Sequence, residues 1–194
     1  MAGATARQQR TARQQQLLDR LVDLCEAEGF AAFTLDELTV RLGCSKTTLY
    51  SLAGSKQDLA VVVVRESFRR AVDIVETRLE GVEGAAARIE TYLRAVADRL
   101  QSLSEAFLAD IARLPATDAV YRRNTQAAAE RIRRLIADGV ASGELRQVHA
   151  AFVGEMVAAT MFEIQRGRMF ERLELADAEA YAELATFVVQ ALTD

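Results

Sequence analysis

Three helix-start signals crowd into the segment from Thr34 to Asp58, leaving room only for short helices joined by tight turns. Thr34 places a side-chain oxygen where the first free amides of a helix need an acceptor, and Glu37, three residues on, completes a capping box. Leu35, Leu38 and Leu42 share one stripe at helical spacing, and Gly43 can take the positive φ that closes a helix. Ser45 caps a second short helix, in which Leu49 turns inward while Lys46, Thr47, Thr48, Tyr50 and Ser51 project outward. Gly54 ends it, and Ser55 with Asp58 opens a third. Two helices joined by a turn of about three or four residues, the second bearing small polar and basic side chains, predict a helix-turn-helix whose second helix enters a DNA major groove. The only two lysines of the chain, Lys46 and Lys56, both fall in this segment.

The formal net charge of −4 at first opposes a nucleic-acid partner. Its distribution does not. Arg7, Arg10, Arg13 and Arg20 face Asp19 alone in the first 20 residues, whereas 17 arginines face 21 acidic residues from position 61 onward. An acidic body with a basic arm and a basic second helix can dock on DNA through local contacts that weaken as salt rises. The arm either reaches into an adjacent minor groove or is a polar tail without specific contacts.

Leu17 to Leu24, Gly29-Phe30, Thr34-Leu-Asp-Glu-Leu, the run from Gly43 to Tyr50, and Ser55-Lys56-Gln-Asp-Leu59 together resemble the DNA-binding domain of the tetracycline-repressor (TetR) family of bacterial regulators. The resemblance covers about the first sixty residues. It implies that Tyr50 and Lys56 contact phosphates and that Lys46, Thr47 and Thr48 face the groove or backbone. Thr34, Ser45, Ser51, Arg10 and Arg13 complete the expected DNA-facing set. It also implies a helical remainder that dimerises and often binds a small molecule. Three positions depart from the family pattern: Cys25 and Ala53 stand where large aromatics are common, and Thr39 where Ala is. Leu21, Phe33 and Leu52 are expected to refill the lost volume.

Beyond this segment the chain reads as all-α, with about nine helices in total. Half of its residues are hydrophobic and it holds a single proline, Pro115. A helix is expected over 56–80 despite the strand-like run Ala60–Val64, because the cap at Ser55 and the stripe Val63, Ser67, Val72, Val75, Leu79 favour it. Further helices are expected over 85–101, 104–113, 118–141, 147–165 and 177–192, with a polar loop over 166–175. We place a DNA-binding domain at 1–58 and a helical dimerisation and effector domain at 59–194. No apolar run reaches the length of a membrane span and no signal-peptide core opens the chain, so a cytoplasmic protein is expected. With one histidine, and with Cys25 and Cys44 placed as small hydrophobes, no metal, cofactor or disulfide is expected.

The helix over 147–165 is apolar on two sides, so it needs two partners. Phe152, Val153, Val157, Leu184, Phe187, Val188 and Ala191 are expected to form a twofold four-helix interface between two copies, presenting two reading heads to a pseudo-palindromic double-stranded operator. Tyr92, Phe107, Ile111, Tyr121, Met156, Thr160, Met161 and Glu163 are candidates to line a cavity for a small hydrophobic or aromatic effector. The function expected is that of a DNA-binding repressor released by such an effector. A DNA-bound protein acting through a protein partner, without an effector, is the alternative. Catalysis finds no footing: His149 lies in a polar loop with no nucleophile or phosphate-binding loop beside it.

Overall fold

The computed structural model describes residues 10–166 and 175–193. Among them are nine α-helices: α1 (Ala12–Glu28), α2 (Leu35–Leu42), α3 (Lys46–Tyr50), α4 (Lys56–Leu79), α5 (Ala85–Gln101), α6 (Glu105–Arg113), α7 (Pro115–Ser142), α8 (Ala150–Arg166) and α9 (Asp177–Thr193). Most of the expected 166–175 loop, and Arg7 of the basic arm, lie outside the described residues.

Local chemistry sets most helix starts. Thr11 with Gln14 and Thr34 with Glu37 form complete capping boxes at α1 and α2. Ser45, Ser55 and Ser104 accept from the amides of Thr48, Asp58 and Phe107 at 3.1, 3.1 and 3.2 Å. Gly43 closes α2 in the left-handed conformation, with φ 60° and ψ 42°. The Ala60–Val64 run is helical. Its β-branched residues are held there by tertiary burial, Leu59, Ala60, Val63 and Val64 all lying on the inner face of α4.

Two helix starts differ from the sequence reading. Helix α7 begins at Pro115 rather than Asp118, because proline at the first helical position lacks only an amide that has no partner there and brings a φ suited to a helix. Thr117, fully buried, anchors this entry by donating to the carbonyls of Ile111 and Leu114 at 2.7 and 2.9 Å. Helix α8 begins at Ala150, and His149 is its cap: Nδ1 accepts from the Phe152 amide at 3.2 Å. The lone imidazole of the chain thus closes the start of helix α8.

The described residues form two compact units, one running through Ser67 together with Ser104–Thr117, the other Phe68–Leu103 with those from Asp118 onward. This partition differs from the expected boundary at residue 58, since it adds the segment bearing α6 to the helix-turn-helix. In the first unit Leu18, Leu21 and Cys25 of α1, Leu49 of α3 and Phe107 and Ile111 of α6 are at most 1 % exposed. Of the three residues expected to refill the aromatic volume, Leu21 and Phe33 are buried, whereas Leu52 is only half-buried. Phe107 adds an aromatic from far along the chain, meeting Phe30 edge to face with centroids 6.2 Å apart.

The join between α1 and α6 is polar and specific. Asp110, 3 % exposed, accepts through Oδ2 from the amides of Phe30 and Ala31 at 2.8 and 2.7 Å, and the Ser104 amide donates to the Glu26 carbonyl at 3.0 Å. Gly29 makes this possible. Its φ is 80°, and a Cβ there would stand 2.8 Å from Asp110 Oδ2 and 3.1 Å from Ala106 Cβ.

In the second unit α5 and α9 pack along each other, with Ile89, Leu93, Ile132, Ile136, Met161 and Ala185 fully buried. Tyr92 donates to the Ala128 carbonyl at 3.3 Å, and Tyr181 to that of Met161 at 3.5 Å, which satisfies both hydroxyls within the core.

Candidate nucleic-acid interface

The second helix of the motif is five residues long and is anchored by one side chain. Leu49 is fully buried, so the rest of α3 can turn outward. Lys46, Thr47, Tyr50 and Ser51 are exposed, Thr48 is half-buried, and Tyr50 stands 41 % exposed, unusually open for an aromatic. The hydroxyls of Ser45 and Thr48 lie 2.8 Å apart, and Ser51 Oγ donates to the Thr48 carbonyl at 2.7 Å. Helix α1 braces this element, since Gln14 Nε2 donates to the Ser51 carbonyl at 3.4 Å.

The remaining expected contacts surround it. Thr34 is exposed at the start of α2, its amide and hydroxyl both donating to Glu37. Lys56 opens α4, with Nζ 3.5 Å from the Ala31 carbonyl. Arg10 and Arg13 are exposed, and Arg13 shares a depression of about 550 Å³ with Thr39, Val40, Ser45 and Thr48. Sequence reasoning missed Asp36, whose carboxylate lies 2.7 Å from Lys46 Nζ, and Gln14, the brace behind α3. The pairing with Asp36 raises the Lys46 pKa, so its ammonium stays charged. Burial pushes the Cys25 thiol up to about 12, with Asp110 and Glu26 adding to the rise, which keeps it protonated and inert.

The candidates for an effector cavity are spread over the fold. Phe107 and Ile111 belong to the core of the first unit, while Tyr92 and Met161 fill that of the second. Tyr121 stacks on Phe68 at 5.3 Å. Thr160 and Glu163 are half-buried, and Met156 is 50 % exposed. The expected dimer stripe is likewise divided. Val157, Leu184 and Val188 are 3, 9 and 4 % exposed and serve the monomer core, Val153 is half-buried, and only Phe152, Phe187 and Ala191 lie outside. The pattern on α8 and α9 marks two apolar faces without telling which one the monomer covers. Met156 joins the open face.

Among the described residues no group of three metal-ligating side chains occurs, and no helix is long and apolar enough to cross a membrane.

Residues 17–63 match the family model for bacterial regulatory proteins of the tetR family. The whole fold is similar to solved regulators. A TetR transcription regulator from Haloarcula marismortui superposes with a TM-score of 0.74 at 17 % identity, covering 94 % of this chain and 98 % of that one. A putative transcriptional regulator from Saccharomonospora viridis in complex with choline gives 0.73 at 15 % identity, with 95 and 100 % covered. The fatty acid degradation regulator FadR from Bacillus halodurans gives 0.66 at 13 %, with 94 and 97 % covered. No curated protein sequence matches the chain.

Proposed function

We propose, from the tetR-family DNA-binding segment at residues 17–63 and the TetR-like fold that carries it, that this transcriptional regulator binds a pseudo-palindromic operator as a homodimer and acts as a repressor. The observation that carries the reading is α3 itself: a short helix pinned by one buried leucine, with Lys46, Thr47 and Tyr50 open to a groove. Its companions have separate tasks. Tyr50, Lys56, Thr34 and Ser51 hold the backbone, Arg10 and Arg13 add charge beside the site, and Lys46, Thr47 and Thr48 meet base edges. Blocking a promoter needs only occupancy, which favours repression over activation.

Selection of bound duplexes from a random pool tests this reading. An inverted repeat should emerge. Against the selected duplex, Tyr50→Phe should weaken binding to all sequences alike by about two- to tenfold, the worth of one hydrogen bond. Lys56→Ala should do the same and reduce the salt slope by about one. Thr47→Ala should instead alter preference at one base pair, by about 1–3 kcal/mol of discrimination. A uniform loss across sequences from Thr47→Ala sinks its base-reading role.

Release from DNA by a small effector is the finer part of the proposal. It is supported by the family segment and by a solved relative in complex with choline. An effector acts only if it prefers the conformation whose heads are wrongly spaced. Helix α4, which begins in the motif at Lys56 and ends at Leu79, is the natural lever. Loss of operator binding on titrating a compound that also raises the unfolding temperature is the expected signature.

A further inference from the structure

Asp36 and Glu37 stand side by side in the first turn of α2, yet they point to different tasks. Glu37 turns back, its Oε2 accepting from the amide and hydroxyl of Thr34 at 2.7 and 2.8 Å. Asp36 reaches forward, placing Oδ1 2.7 Å from Nζ of Lys46, the first residue of α3. The two side chains of this pair are 75 and 56 % exposed, so it adds little to the fold. What it does is tie the first turn of one motif helix to the leading residue of the other, the end of a recognition helix that meets base edges.

We infer that Asp36 determines specificity by positioning Lys46, holding its ammonium on the groove face and withholding it from phosphates. The inference rests on the reading of Lys46 as groove-facing. A lysine is a strongly hydrated point charge on a flexible four-carbon stem, and left alone it settles on the nearest phosphate of any sequence. Bound to a carboxylate, the pair carries no net charge toward the backbone and gains little there. The ammonium nevertheless keeps N–H donors to spare, which suit the paired acceptors O6 and N7 of a guanine in the major groove. A duplex that offers no such acceptor gains nothing to offset the desolvation of the pair. Asp36 thus weakens binding to the wrong sequences more than to the right one.

Asp36→Asn tests this, measured on a selected duplex and on a random duplex of equal length at several salt concentrations. The random duplex should bind several-fold more tightly with a salt slope steeper by about one, as Lys46 gains a phosphate. The ratio between the two duplexes should fall about tenfold. The unfolding temperature should drop by no more than about 3 °C, the loss of one acid from a helix's first turn. In a Lys46→Ala background the Asp36 substitution should leave the ratio between the two duplexes unchanged, since the unpaired carboxylate then repels both alike. An unchanged ratio in Asp36→Asn, while Lys46→Ala alters base preference, overturns the inference and leaves the DNA reading intact. An Asp36 effect on that ratio that persists without the lysine also overturns it, since the carboxylate then discriminates between bases itself. If Lys46→Ala leaves base preference untouched, the groove assignment fails and the inference with it.

Discussion

Asp110→Ala should loosen the first unit, lowering its stability by about 2–5 kcal/mol. The figure follows from what the carboxylate does. Its Oδ2 takes two backbone amides, those of Phe30 and Ala31, at a site 3 % exposed. Bonds from an amide to a charged acceptor contribute about 1.5–3 kcal/mol each, and a donor stranded in the core costs about 1–3 kcal/mol. Arg113 holds the other oxygen at 3.2 Å, but its side chain is 69 % exposed, so that pair adds little. Thermal unfolding should show the loss as a fall of about 5–15 °C. Asp110→Asn keeps one acceptor oxygen and should recover part of it. A change of under 2 °C for the alanine variant overturns the assignment of Asp110 as the clasp between α6 and the end of α1.

That clasp marks where the sequence stops being legible. Helix starts are local chemistry, and Thr34, Ser45, Ser55 and Ser104 announce them within four residues. The join at Asp110 links amides about eighty residues away, and nothing in the neighbourhood of either partner signals the other. Phe107 is a similar case. Its helix is amphipathic, so burial is legible, but which core it enters depends on the α1–α6 packing, and the residue expected at an effector cavity fills the core of the first unit. Pro115 falls between the helices expected over 104–113 and 118–141, and its type alone does not tell which it joins, because proline both ends and begins helices. The sequence places His149 in a polar loop, because capping by histidine has no strong sequence signature. The outward positions of α3 are legible from Leu49 alone, while the pairing of Asp36 is not, since an exposed acid looks the same whether it pairs with a lysine or with water.

The two apolar faces of α8 and α9 permit a sharper test of assembly, because the same substitution should have opposite consequences on each. Phe152 and Phe187 are 62 and 65 % exposed, with Met156 at 50 % beside Phe152 on the outer side of α8. Burying such a phenylalanine gains about 1.5–3 kcal/mol. A twofold axis counts every substitution twice. The double variant Phe152→Glu, Phe187→Glu should therefore sediment as a monomer that keeps its helical content, its unfolding temperature lowered only by the lost association and no longer dependent on protein concentration. Operator affinity should fall by about 10²–10⁴, the gain that linking two heads brings. Val157→Glu should behave in the reverse order. At 3 % exposure its carboxylate has no route to water, so the second unit unfolds, and loss of the dimer follows only as a consequence. A double variant that remains dimeric sinks the proposal that this face pairs two copies. One that becomes monomeric yet binds the operator as tightly as before sinks the proposal that two linked heads read the palindrome.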